Sequence, residues 1–187
     1  RIWRLVHDDM PVAPKPDMSK MGEPRLVVEV ASSYYWRRQT ARRLLVEKGV
    51  LSKDGLRVLA ETIGNKSSSR DSVVNALYVL KGVGKLSGAT IIPALDHRDF
   101  GVRVHALRVA EPWLDRSMEL LDKVISLTRD PNPLVLIQLA LTLGESRSEK
   151  ARSTLEEIEK THGELRWMKT AIQSSKSKEF TDLPTIT

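Results

Sequence analysis

The sequence predicts an all-α fold, an α-solenoid of about five stacked helical hairpins with a short N-terminal strand-like stub. Three observations predict it. Between residues 23 and 175 apolar residues recur at helical spacing, and Gly49, Gly64, Gly88, Pro112, Pro131 and Gly163 separate the segments. A small residue returns at a near-constant interval, as Ala41, Ala76, Ala106, Ala140 and Ala171, 30–35 residues apart. Finally, residues 96–111 can be laid over 130–145. At that offset of 34 the Asp, the apolar start, the Ala-Leu pair and the closing Glu coincide.

The chain opens on Arg1-Ile2-Trp3-Arg4-Leu5-Val6-His7, rich in strand-forming types and too short to be stable without a partner sheet. Pro11-Val12-Ala13-Pro14-Lys15-Pro16-Asp17 follows and reads as a semi-rigid linker. The expected organisation is therefore a stub and linker over 1–22, the solenoid over 23–175, and a polar exit linker over 176–187. The solenoid should hold about ten helices of roughly 8–15 residues. On a helix, positions −4, 0, +3 and +4 from the recurring Ala share a face. They are Val102, Ala106, Val109 and Ala110 in the third unit, and Leu136, Ala140, Leu143 and Gly144 in the fourth. The small residue lets a paired helix approach closely. The alternate helices supply Leu59 and Ile63, Ile91 and Leu95, Leu120, Leu121 and Val124, then Leu155 and Ile158. One hairpin leaves an apolar face open, and stacking closes it.

Composition narrows the function. A chain of 187 residues with 41% hydrophobic and 29% charged residues is globular. The absence of cysteine excludes disulfide frameworks, thiol nucleophiles, cysteine-bound zinc, iron–sulfur clusters and CxxCH haem attachment. No apolar run approaches the ~18 residues of a membrane span. The net charge of +6 is a mild excess that raises an anionic partner. The first residue is Arg1 rather than Met, so the chain is expected to be a piece of something longer.

The period, the Asp-Pro entry into the second helix and the Ala-Leu core together resemble a HEAT repeat. Asp130-Pro131-Asn132-Pro133 is similar to that family's inter-helix turn, Asp96-His97-Arg98-Asp99 is a looser version, and Arg103 stands at the family's Arg position, where unit four has Ile137. Several segments also resemble, in order, the membrane-bound dehydrogenase-like proteins of planctomycetes, in which a β-propeller precedes HEAT repeats and often a c-type cytochrome module. The segment Arg1–Leu5 resembles the last propeller strand, Tyr34–Gly49 the first HEAT helix, Ala76–Gly82 the second unit and Leu165–Ser175 the last. That resemblance implies a connecting, non-catalytic scaffold of a periplasmic redox protein, partnered by protein or by adjacent domains. It carries over no haem and no propeller site, and no cofactor or metal is expected in this chain.

Two sets of residues are candidates for binding. Positions two residues after each core Ala are Arg43, Tyr78, Arg108, Thr142 and Gln173, with Trp36, Gln39, Lys81, Gln138 and Lys169 as neighbouring exposed places. From these comes a candidate ridge of Trp36, Arg43, Tyr78, Lys81, Arg108 and Gln138 on the concave surface, suited to a carboxylate, phosphate or protein ligand. The second candidate is a basic patch of Arg37, Arg38, Arg42 and Arg43. The plain reading of that cluster is the polar outer face of a first repeat. The functional readings are an anion or nucleic-acid site, or ion pairs to another domain.

Other features read as structural. His97 lies in a helix-capping turn. His105 falls in a series with Thr40, Asn75, Leu139 and Thr170 that forms a polar ladder. Lys81-Gly82-Val83-Gly84-Lys85 has no preceding strand and reads as a helix stop, not a phosphate loop. Trp36 and Trp167 are placed in the second helices of the first and last units, and Trp113 at a turn. Trp113-Leu114-Asp115 invites comparison with HEAT-like DNA glycosylases, which is the alternative reading, although the two functional side chains would not share a helix face.

Overall fold

A computed structural model describes residues 17–176. Ten α-helices form within it: α1 (Glu23–Glu29), α2 (Tyr35–Lys48), α3 (Lys53–Gly64), α4 (Arg70–Gly82), α5 (Gly88–Leu95), α6 (Phe100–Ala110), α7 (Met118–Ile125), α8 (Pro133–Leu143), α9 (Glu149–His162) and α10 (Met168–Lys176). Short 3₁₀ turns cover Met18–Lys20, Glu111–Arg116 and Ser126–Arg129. Among the described residues there is no strand, and no helix is long and apolar enough to cross a membrane. The strand-like stub, the proline-rich tract up to Pro16 and the exit linker after Lys176 lie outside the described residues.

Local chemistry explains where the helices start. Ser52, Ser69, Ser87, Asp99, Ser117 and Asn132 each accept a backbone N–H of the first turn of α3, α4, α5, α6, α7 and α8 respectively. Pro133 opens α8, where its missing N–H costs nothing. Gly49 ends α2 in the left-handed region at φ 68°, and Gly84, at φ 67°, turns the chain after α4.

The helices form two layers. The odd helices stack α1 on α3 on α5 on α7 on α9, the even ones α2 on α4 on α6 on α8 on α10, and the layers pack on each other. The five hairpins of an α-solenoid result. Ala41, Ala76, Ala106 and Ala140 are fully buried and Ala171 nearly so, each on an even helix. Leu59, Ile63, Ile91, Leu95, Leu120, Leu121, Val124 and Ile158 fill the space from the odd helices. Met18 and Met21, within the segment expected to be linker, are buried against the first hairpin.

Two arginines tie the units together in one register. Arg38 on α2 and Arg103 on α6 each stand three residues before the core Ala. Arg38 donates to the carbonyls of Ser32 (2.7 Å) and Ser33 (2.9 Å) and to Asp71 Oδ2 of the next unit (2.6 Å). Arg103 donates to the carbonyl of His97 (2.8 Å) and, through Nε and Nη2, to both oxygens of Asp130 (2.6 and 2.9 Å). Each guanidinium closes its own inter-helix turn and clamps the following repeat.

Close approach leaves two glycines no freedom to grow. A Cβ on Gly82 would lie 2.6 Å from Val46 Cγ2, and one on Gly144 would lie 2.2 Å from Ser175 Cβ and 2.8 Å from its Cα. Ser175 also donates its hydroxyl to the Ala140 carbonyl. The variant Gly144→Ala is therefore expected to destabilise by about 1–3 kcal/mol by forcing α8 and α10 apart. Gly64→Ala, facing open space at the end of α3, should be neutral or gain up to about 1 kcal/mol. Chemical denaturation of both variants checks the contrast. The same assay applied to Asp130→Ala should show a loss of about 3 kcal/mol, because the Arg103 charge is left buried without its partner.

Candidate functional site

Stacking of the even helices aligns side chains that lie beside the core Ala, and one polar cluster results. Tyr78 of α4 stands at its centre. The Arg42 guanidinium of α2 lies 5.9 Å from the centre of the Tyr78 ring. On the other side the His105 imidazole of α6 meets the ring edge-on, centroids 5.6 Å apart, with the hydroxyl 3.1 Å from Nδ1. Arg108, one turn further along α6, donates to Gln138 Oε1 on α8 at 3.0 Å. Gln138 Nε2 donates to Thr142 Oγ1, which in turn donates to Glu111 Oε1 at 3.3 Å. A polar chain thus crosses units one to four on the even-helix face.

Beside it lies a shallow cleft of about 150 Å³ whose walls include Tyr35, Arg42, Arg70, Asn75 and His105. Arg70, at the start of α4, lays its stem over Gly101, where a Cβ would come 2.9 Å from Arg70 Cδ. Partial burial, with Arg108 and Arg70 nearby, pushes the His105 pKa below its ordinary 6.5. Burial raises Glu111 above the usual carboxylate value, and Glu145 adds to the effect, while the Thr142 hydrogen bond, Lys81 and Arg108 oppose it.

The residues expected from sequence separate into distinct fates. Of the ridge, Tyr78 and Arg108 belong to the cluster. Trp36, Arg43 and Lys81 are exposed, with Arg43 paired to Glu47 along its own helix. Gln138, expected to be exposed, is only 6% so, because it bridges Arg108 to Thr142 inside the packed layer. Thr142 is likewise fully buried. The four clustered arginines do not share a surface. Arg37 pairs with Glu29 against α1 at 2.5 Å, Arg38 is the buried clamp described above, Arg42 faces Tyr78 and Arg43 faces solvent. Successive arginines on a helix point in different directions, so density along the chain is not density in space.

Three further expectations change or gain content. Trp167 precedes α10 instead of lying within it, at φ 72°, with the Arg166 guanidinium 5.1 Å from the centre of its ring. Trp113 lies in the 3₁₀ turn Glu111–Arg116, partly buried against the core. Asp115 accepts the Ser146 hydroxyl at 2.6 Å and the Arg147 N–H at 3.1 Å, so its carboxylate organises the loop before α9. His97 is buried, with Nε2 3.2 Å from the Ser68 carbonyl and Nδ1 accepting the Asp99 N–H. Among the described residues no group of three or more His, Asp and Glu could hold a metal ion. Arg70 was missed from sequence; the signal for it was Gly101 one unit later, the gap its stem fills.

Residues 88–173, from α5 into α10, match the family model for HEAT repeats. That stretch is a HEAT-like repeat region. It takes in the third, fourth and fifth hairpins, and the helix pairs before it pack in the same two-layer manner. No match was found among curated proteins or among solved structures. Within the HEAT region, His105 and Arg103 lie on the hairpin that meets Tyr78 from the preceding unit, and Arg103 reaches Asp130 of the next.

The protonation of His105 yields a prediction with a definite sign. Its pKa is lower in the folded chain, so protons bind the unfolded state more readily near pH 6. The stabilising contribution is complete above about 6.5 and is lost as pH falls from there toward the folded-state value. Glu111, whose pKa is raised, acts in the opposite sense and favours the fold as it becomes protonated. Thermal melts at pH 7.5 and 5.5 should show a smaller drop for His105→Gln, which keeps a polar partner for Tyr78 but cannot take up charge. An equal drop in both proteins would contradict the assignment.

Proposed function

We propose that the chain is a non-catalytic scaffold of the HEAT type that binds protein along the even-helix face of its first three units. The observation that carries this reading is the Arg42–Tyr78–His105–Arg108 cluster, a line of cationic and aromatic side chains contributed by three successive hairpins. Solenoids expose such lines because each repeat offers one more position on the same face. Each histidine within the helical body has a hydrogen-bonding partner in the fold. His97 bonds the Ser68 carbonyl, His162 lies 3.3 Å from the Thr128 carbonyl, and His105 holds Tyr78.

The finer reading is that this scaffold connects the domains of a dehydrogenase-like parent protein in the cell envelope. It is supported by the resemblance of Tyr34–Gly49 and Leu165–Ser175 to the HEAT segments of that architecture, and of Arg1–Leu5 to a propeller's last strand. The parent open reading frame tests it. A propeller-coding segment upstream or a partner domain downstream is the expected result, and a frame with neither removes the assignment.

A titration with duplex DNA tests the scaffold against the nucleic-acid reading. Binding to DNA should be weak at low salt, because Arg37, Arg38 and Arg43 are already paired with carboxylates. Tight binding whose logarithm falls steeply with the logarithm of salt concentration would replace the scaffold reading with the alternative.

A further inference from the structure

Three guanidinium groups on the even-helix face, those of Arg42, Arg70 and Arg108, are not held closely by a carboxylate. Arg42 lies over the Tyr78 ring and Arg108 donates to the neutral amide of Gln138, and among the described residues neither has a carboxylate within ion-pairing distance. Arg70 comes only to 3.9 Å of Asp71, whose other oxygen Arg38 holds at 2.6 Å. The structural arginines of the same molecule look different. Arg38 is buried and Arg103 largely so, and each has at least three hydrogen bonds to turn carbonyls and a carboxylate.

These three groups come from α2, α4 and α6, one per unit; Arg42 and Arg70 line one cleft with His105, and Arg108 lies further along α6, on Gln138. Arg42 lies over Tyr78, Tyr78 meets His105, and Arg70 and Arg108 both act electrostatically on His105. The exposed ring of Tyr35, at the start of α2, lines the cleft, and exposed Trp36 follows it in the chain. Nothing about the packing requires three cations to be gathered there. Asp71 offsets part of this charge and Glu111 acts on Arg108, so the cluster keeps a positive excess that an added anion would relieve.

The extent of the patch narrows the class of anion. The cations stop at the third unit, where Glu111 and then Glu145 occupy the place that Lys81 holds on α4, five residues past the core Ala. A duplex, with a charge every ~1.7 Å along its axis, is held by a long run of phosphate contacts. A cleft of about 150 Å³, in which Arg38, Arg42 and Arg70 face the single carboxylate of Asp71, takes a carboxylate-sized side chain instead.

We propose that this cluster is a docking site for an acidic, extended peptide segment of a partner protein, whose Asp and Glu side chains engage Arg42, Arg70 and Arg108. The proposal rests on the reading of the chain as a protein-binding scaffold and supplies the chemistry of what it binds. One acidic side chain enters the cleft between Arg42 and Arg70, and a second, further along the peptide, meets Arg108. The aromatic surface of Tyr35 and Trp36 covers the apolar parts of the segment at the first unit.

The test is fluorescence polarisation of the full 187-residue chain with a labelled peptide of about a dozen residues carrying regularly spaced Glu, long enough to lie extended across three units. The analogue with every Glu replaced by Gln is the companion probe. Binding of the Glu peptide but not of its Gln analogue, weakened by added salt, is the expected result. Arg42→Glu, Arg70→Glu and Arg108→Glu should each weaken it about tenfold, since an ion pair is lost and a repulsion between like charges replaces it. Lys53→Glu and Lys160→Glu on the odd helices make the same charge change away from the cluster and should alter affinity less than about twofold. Because the three arginines hold no buried carboxylate, the milder triple change to Gln should keep the helicity, and the loss of their packing contacts should lower the melting temperature only slightly, leaving the variant folded at the assay temperature. A well-folded triple Gln variant that keeps its affinity overturns the proposal, as does equal binding of both peptides. Duplex DNA displacing the peptide at lower concentration would overturn it too. If the chain ignores the peptide but cross-links to other domains of its parent, the acidic-peptide assignment falls and the scaffold reading stands. If it does neither, both fall.

Discussion

The close approach of neighbouring even helices is the constraint on which the rest depends. On each, one small residue, Ala41, Ala76, Ala106, Ala140 or Ala171, is buried in the core. Where the chain has glycine at such a contact, as at Gly82 against Val46 or Gly144 against Ser175, even a methyl group has no room. Protein interiors pack densely and tolerate little added volume. Helices held this closely keep a common register from one unit to the next, so a residue one or two places from the Ala meets its counterpart in the following hairpin. The contacts from Arg42 to Tyr78, Tyr78 to His105 and Arg108 to Gln138 all follow from that register.

The register also explains why arginine has two fates in this molecule. Three residues before the Ala, the side chain reaches the carbonyls of its own inter-helix turn and a carboxylate in the next unit. Arg38 and Arg103 do this, and their charge is neutralised within the fold. One or two residues after the Ala, the side chain runs along the face of the stack and meets aromatic or amide groups. Buried charges persist only when fully paired, whereas a charge on the face can wait for a ligand. The electrostatic character of the even-helix face is thus decided by helical phase. The chain's net charge of +6 says little about it.

How far the site was legible follows from the same geometry. The repeat and its core were plain, because apolar periodicity and the Ala interval are properties of a single helix and need no knowledge of neighbours. Tyr78 and Arg108 were also found from the Ala, since both lie two residues beyond it. Gln138 and Thr142 were misjudged as exposed because the layer beside α8 closes over them, a matter of packing between units. The four clustered arginines looked like one patch because they are close in sequence, yet a turn of about 100° per residue sends them toward α1, the inter-helix turn, Tyr78 and solvent. Arg70 went unseen because its importance comes from Gly101, a residue on another hairpin.

By itself the sequence determined an all-helical solenoid of five hairpins, the small residue buried on each second helix, and the lack of any cysteine-based chemistry. Those follow from local periodicity and composition. Only the tertiary structure decided which cations are consumed by the fold and which stay available on its surface. That choice depends on carboxylates about thirty residues away in the chain, brought within hydrogen-bonding distance by stacking, as Asp71 is to Arg38 and Asp130 to Arg103.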